Sequence, residues 1–263
     1  MNSWTLTDLE FKVLCDMRLF GMLPRPFVIT SRIPLMEDYE RACKRTRSEL
    51  EQRMDSELEA VVDTMALPDV LVTAQSWDEA DFEDPTKRVR VYAGTRGSRG
   101  FITVQNPGET IWHAEGFTIT SCDPRALGDR VAGLFPTVEA GRRESFAIAT
   151  GEEGLSQHTY SMNAHSMVAD EEEVFTAQRF FTTPATCAGS IRLTQGRSRF
   201  GPRGRITTAL AWRDLAGDGR YVAPLDTPDP WATGMGTTGL AAWVDTEIAN
   251  VIERMDDYQE VDE

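Results

Sequence analysis

Along this chain, several short runs alternate apolar with polar residues, while longer stretches repeat apolar residues every three or four positions. The helical pattern comes first. A Thr7-Asp8-Leu9-Glu10 box suits Thr7 as N-cap with Glu10 reaching back to it, and Leu6, Leu9, Val13, Leu14 and Met17 follow at helical spacing. This predicts a helix from Asp8 to Arg18, stopped by Gly21 and Pro24. Phe27-Val28-Ile29 is a short strand candidate. Between Leu35 and Met65 no Gly or Pro interrupts, and Tyr39, Cys43, Leu50, Met54, Leu58, Val62 and Met65 recur at three, four or seven residues. That spacing reads as one amphipathic helix of roughly 45 Å at 1.5 Å per residue, ended by Pro68.

Strand-like alternation follows at Asp69–Trp77, Lys87–Ala93, Phe101–Gln105 and Thr110–Ser121. An acidic loop from Asp78 to Asp84, a Gly/Arg turn from Gly94 to Gly100 and the turn Asn106-Pro107-Gly108 join these runs. Asp123 as N-cap and Pro124 at the first helical position open a short helix to Phe135. Beyond a polar stretch at 137–153, a helical region ends near Thr183, and strands are expected at Ser190–Thr194, Arg205–Arg213, Arg220–Leu225 and Trp231–Gly234. A closing helix spans Leu240 to Met255, before an acidic, frayed tail.

The strands echo one another. Gly100 and Gly219, like Trp112 and Trp231, lie 119 residues apart, and the same shift lays Val89–Tyr92 on Thr208–Ala211 and Val70–Trp77 on Gly189–Gly196. A pattern kept over this span predicts two similarly built halves, about 1–136 and 154–263, in a single domain of 263 residues. Short loops favour antiparallel pairing, because parallel crossovers need a dozen or more residues. The expected fold is α+β: a central, mostly antiparallel β-sheet flanked by helical bundles.

Charge and cysteine content then narrow the partners. The net charge of −15 repels nucleic acid and anionic membrane. No apolar run reaches the ~20 residues of a membrane span. No secretory signal opens the chain, and Cys15, Cys43, Cys122 and Cys187 form no Cys-x-x-Cys pair, so the expected compartment is the cytoplasm with reduced thiols.

Few motifs carry chemistry. Gly234-Met235-Gly236-Thr237-Thr238-Gly239 fits G-x-G-x-x-G, yet too little chain follows it for a second parallel strand, so a strand-to-helix turn is the better reading. His113, His158 and His165 lack metal-ligand spacing, and Ser161, His165 and Asp170 lack a Gly-x-Ser-x-Gly elbow. No catalytic, cofactor or metal residue is assigned, and no enzyme activity is expected. Arg192, Arg197, Arg199, Arg203 and Arg205, with Phe200 among them, crowd one segment, as do Lys87, Arg88, Arg90, Arg96 and Arg99 in the first half. Edge-strand gatekeeping is the first explanation for these cations, docking of a protein partner the second, and nucleic-acid binding a more remote one.

Several of these pieces together resemble the EspG family, the chaperones of type VII (ESX) secretion. The carriers are the opening Trp4-Thr5-Leu6-Thr7-Asp8-Leu9-Glu10-Phe11-Lys12-Val13-Leu14; the block Arg203-Gly204-Arg205-Ile206 through Trp212-Arg213-Asp214 to Gly217-Asp218-Gly219-Arg220-Tyr221; and the terminal helix after a Gly/Thr-rich turn. The likeness spans nearly the whole chain in order and length. It implies two pseudo-symmetric halves around one sheet, and a cytosolic protein that binds the exposed apolar tip of a PPE protein in a PE–PPE heterodimer and keeps it soluble for delivery. The client is expected to be of PE–PPE type or a more distant WXG-type helical hairpin, and self-association as a homodimer is a further expectation. Family contacts come from the sheet, a strand-joining loop and the C-terminal helices. Carried to this chain, they imply partner contacts at Trp77, Asp78 and Phe82 and at Trp243, Ile248, Val251 and Ile252 of the closing helix; Phe200 and Arg203 of the arginine-rich segment are the contacts expected if that segment docks a partner.

Overall fold

The computed structural model describes residues 2–148, 179–198 and 201–260. Ten strands make one sheet: β1 (Ser3–Thr7), β2 (Val70–Trp77), β3 (Val89–Arg96), β4 (Arg99–Pro107), β5 (Ala114–Cys122), β6 (Phe146–Ala147), β7 (Ala185–Gln195), β8 (Thr207–Leu215), β9 (Gly219–Pro224) and β10 (Trp231–Gly234). Their order is β1-β5-β4-β3-β2-β7-β8-β9-β10-β6, and every neighbouring pair runs antiparallel. Five strands thus lie on each side of the β2–β7 seam. At that seam Thr73 pairs with Arg192, Val72 with Leu193 and Ala74 with Ile191. Thr73 and Arg192 are 119 positions apart, so the register is reciprocal about this pair in the way the sequence offset demands.

The period of two assigns the faces. In β2, Val70, Val72, Ala74 and Ser76 are buried while Leu71, Thr73, Gln75 and Trp77 are only partly so. Val70, Val72 and Ala74 pack with Val91, Ile191, Leu193 and Trp212 beneath α4 (Leu127–Ala132) and α5 (Thr237–Glu260), which supply Leu127, Val131, Leu240, Val244, Ile248 and Val251. On the opposite face, α1 (Asp8–Arg18), α2 (Met36–Arg53) and α3 (Ser56–Ala66) cover the first half, with Phe11, Leu14, Val62 and Met65 against Tyr92, Phe101 and Phe117. Phe11 and Phe117 stack with ring centres 4.0 Å apart.

The Thr7–Glu10 capping box forms as expected, each residue bonding the other's backbone N–H, at 3.2 and 2.7 Å. The single long helix does not. It breaks at Met54, whose backbone is extended, because the Asp55 carboxylate caps a new helix by accepting from the Glu57 and Leu58 amides at 3.1 and 2.7 Å. The break lets Leu58, Val61, Val62 and Met65 turn onto the sheet. Phe27-Val28-Ile29 is no strand either: the Val28 amide is taken by the Gln105 side-chain oxygen, and the apolar run instead seats Phe27 in the core. β5 begins at Ala114, since residues 110–113 form a turn, and β7 starts five residues earlier than expected.

Edge gatekeeping is overturned by the strand order. β3, β7 and β8 are interior strands, whereas the edges are β1 and β6, so Arg90 and Arg192 guard no edge. The segment after α4, expected to join the halves, runs along the sheet: the Arg220 amide donates to the Glu139 carbonyl, Gly141 donates to the Arg220 carbonyl, and Phe146–Ala147 pairs with β10. Beneath it, Arg220 is fully buried against Asp214, with Nε to Oδ1 at 2.6 Å and Nη2 to Oδ2 at 2.8 Å.

Candidate functional site

At one end of the seam β2 finishes on Trp77 and the chain enters the acidic loop. Asp78 Oδ1 accepts the Ala80 and Asp81 amides at 2.8 and 3.0 Å, which tightens the turn. Lys87 Nζ reaches Asp81 at 3.1 Å and Asp78 at 3.7 Å, and the bond to Asp81 holds its ammonium above the usual lysine range. Glu79 grips Arg213 of β8 through two bonds of 2.6 Å, tying this first-half loop to the second half. Phe82 turns its edge to Trp77, ring centres 6.1 Å apart, and Arg88 lies over both rings, 4.2 Å from Phe82 and 5.9 Å from Trp77.

Beside this cluster the sheet carries further cations. Arg90, Gln75, Ser190 and Ala211 form one cross-strand row; Tyr92, Thr73, Arg192 and Ala209 form the next. Arg90 is buried and donates from Nη2 to the Ile111 carbonyl at 2.9 Å, in the turn that exposes Trp112. Burial, and then the neighbouring charge of Arg88, bring the Arg90 guanidinium down to about 10. Burial also lowers Arg88, whose Nε has no hydrogen-bond partner. Among the described residues Arg88, Arg90 and Arg192 make no ion pair: Glu79 is held by Arg213, and Asp78 and Asp81 by Lys87. The composition alone concealed this cluster, since it appears only when β3, β2 and β7 are placed side by side.

Trp77, Asp78 and Phe82 therefore come together, and the other expected contacts do not join them. Phe200 lies outside the described residues, as do His158, Ser161, His165 and Asp170. Arg203 sits in the β7–β8 connection, at the opposite end of the seam, where Gln195 pairs with Val70. Ile248 and Val251 are not surface contacts at all: they are 7% and 2% exposed, facing the sheet from its other side. Trp243 packs partly against that same core, and Ile252, 40% exposed, looks outward from it. A second exposed apolar group went unread in the sequence: Phe20, Met22, Leu35 and Met36, around the connection from α1 to α2.

The remaining motifs resolve into structure. Gly236 lies so close to Ala140 and Val138 that a Cβ there would meet backbone at 2.9 Å, and the Thr237 amide donates to the Val138 carbonyl. The start of α5 is thus occupied by the chain itself. His113 Nδ1 is 2.7 Å from the Thr110 hydroxyl, inside the turn that presents Trp112. Among the described residues no His/Cys/Asp/Glu group could hold a metal ion, and no helix is long and apolar enough to cross a membrane.

The family model of the EspG family matches residues 7–244. The chain belongs to the EspG family. No curated protein sequence matches it. Among solved structures, the chain is similar to the Mycobacterium tuberculosis type VII secretion system chaperone EspG5, determined in complex with the PE25–PPE41 dimer. The TM-score is 0.52 at 10% identity, covering 92% of this chain and 94% of that one. The likeness is therefore one of fold: a large antiparallel sheet carrying several helices, in an α+β arrangement.

Proposed function

We propose that this EspG-family chain is a cytoplasmic, non-catalytic chaperone of a type VII secretion system. It covers the apolar tip of a secreted PE–PPE-type helical heterodimer and keeps it soluble. Family membership over residues 7–244 carries this reading, and the solved complex of a similarly folded chaperone with a PE–PPE dimer supports a client of that type over a WXG-type hairpin. The surface suits the task. An exposed apolar tip self-associates unless covered, and a sheet-backed site loses little entropy when it covers one.

Trp77, Asp78 and Phe82 are the contacts we place in the interface, with Trp112 beside them. A standard interface buries about 1,600 Å², and tryptophan and arginine commonly dominate its energy. The division into halves 1–136 and 154–263 belongs to the same reading, because the loop after β2 serves the client while Glu79 fastens it to β8 of the second half.

Co-expression of the tagged chain with PE–PPE pairs from its own genome, followed by affinity capture and size-exclusion chromatography, tests this. The expected result is a 1:1:1 complex that Trp77→Ala weakens and free chain that elutes as a monomer or dimer. A chain that retains no such pair, while every pair stays soluble without it, would sink the proposal.

A further inference from the structure

Resting on that reading of the site, we infer that Arg88, Arg90 and Arg192 recognise a carboxylate carried among the apolar residues of the client's tip. Three observations lead there. By register Arg90 of β3 and Arg192 of β7 lie on one sheet face on either side of β2, one row apart, with Arg88 just ahead of β3, two residues before Arg90. None has an acidic partner among the described residues, in a chain whose net charge is −15, and Asp78, Glu79 and Asp81 of the adjoining loop are engaged by Lys87 and Arg213. Arg88 Nε is buried with no acceptor, while its Cζ lies 4.2 Å from the Phe82 ring centre and its Nη2 donates to the Phe82 carbonyl at 3.2 Å. A cation drawn out of water next to another cation, with one buried donor unspent, is costly in the free protein and attracts an anion that arrives with its own apolar surround.

The geometry also selects the class of anion. Trp77, Phe82 and the exposed Trp112 border the cations, so a carboxylate flanked by leucine-like side chains satisfies both parts of the site. A bare phosphate or a polyanion satisfies only one. Arg88 Nη2 already donates to the Phe82 carbonyl at 3.2 Å and Arg90 Nη2 to the Ile111 carbonyl at 2.9 Å, so it is the unpaired Arg88 Nε that is left for a carboxylate oxygen.

Three measurements decide this. In the free chain, Arg88→Gln and Arg90→Gln leave the melting temperature within about 4 °C of the parent or raise it; a large fall in both variants would make the cations structural and overturn the claim. The second uses a synthetic helical peptide with one glutamate between leucines, and its glutamine twin. In ¹⁵N spectra the glutamate peptide shifts the arginine Nε–H signals and binds about tenfold more tightly at low salt, and Arg88→Gln with Arg90→Gln removes that preference. Equal binding of the two peptides, or none by either, would overturn it. The third replaces the acidic tip residues of a captured PE–PPE pair by amides, and the expected loss is again about tenfold. If no pair is ever captured but the peptides are distinguished, the chaperone reading falls and the carboxylate site stands. If a pair is captured and its amide variant binds as well as the parent, the site falls and the chaperone reading stands.

Discussion

Asp214→Asn removes the counter-charge from the most deeply buried cation in the described structure. Arg220 is 0% exposed; its Nε and Nη2 both bond Asp214, Nη2 also reaches the Pro136 carbonyl at 3.0 Å, and Nη1 already lacks a partner. An amide of the same shape keeps at most one of the two acceptor oxygens and no charge, so the guanidinium is left without a counter-ion in a site that water does not reach. Breaking a buried pair in this way costs about 3–5 kcal/mol. At roughly 2–4 °C per kcal/mol for a domain of this size, the melting temperature should fall by about 10 °C. Thermal and urea unfolding, followed by circular dichroism, measure it. The double variant Asp214→Leu with Arg220→Met deletes both charges while keeping bulk, and should recover to within about 1.5 kcal/mol of the parent. A single variant that loses less than about 1 kcal/mol, or a double variant as unstable as the single, would refute the reasoning. The stake reaches beyond β8 and β9, because Arg220 also holds the segment that crosses from α4 toward β6.

Ile248→Ala and Ile252→Ala separate core from surface on α5. The first should cost about 2–5 kcal/mol in urea unfolding, and the second less than about 0.5 kcal/mol. At Asp218, burial pushes the carboxyl up, but the Arg142 amide, the Tyr221 hydroxyl and the charges of Arg143 and Arg142 outweigh it and hold it below 3.8. A depressed carboxyl stabilises the fold above its unfolded pKa and stops doing so as pH falls through the folded one, so the melting-temperature gap between parent and Asp218→Asn should be constant above about pH 5 and shrink below it. Burial pushes the Cys15 thiol up to about 12 and Cys187 to about 11. Thiol-reactive dye at pH 8 should therefore label Cys43 in the native chain and leave Cys15 and Cys187 until it unfolds.

The parts of the fold legible in the sequence are those decided locally. The Thr7–Glu10 cap announces α1, and the alternation of Val70 to Trp77 announces β2 with both its faces. The parts that were not legible depend on partners far along the chain. Ser3–Thr7 alternates Trp4 and Leu6 with polar residues, a strand signal too short to stand out before the capping box, and it becomes β1 by pairing along β5. Asp55 lies in an unbroken helical run, and only the sheet beneath α3 makes the cap win over continuation. Ile248 and Val251 look like an exposed apolar stripe until the sheet is placed under them. The arginines misled most: a row of cations in sequence suggested edges, whereas sheet order brings Arg88, Arg90 and Arg192 to the interior seam beside Trp77. The Asp214 and Gly219-Arg220-Tyr221 motif that carried the family resemblance holds a buried structural ion pair.

The central claim is that a client tip rests on the Trp77 end of the seam, and hydrogen–deuterium exchange on the captured complex tests it most directly. Slowed exchange should concentrate in residues 78–90 and 108–113, with the amides of α5 unchanged between free and bound chain. Protection confined to α5 and the β7–β8 connection, with the loop after β2 exchanging as before, would contradict it.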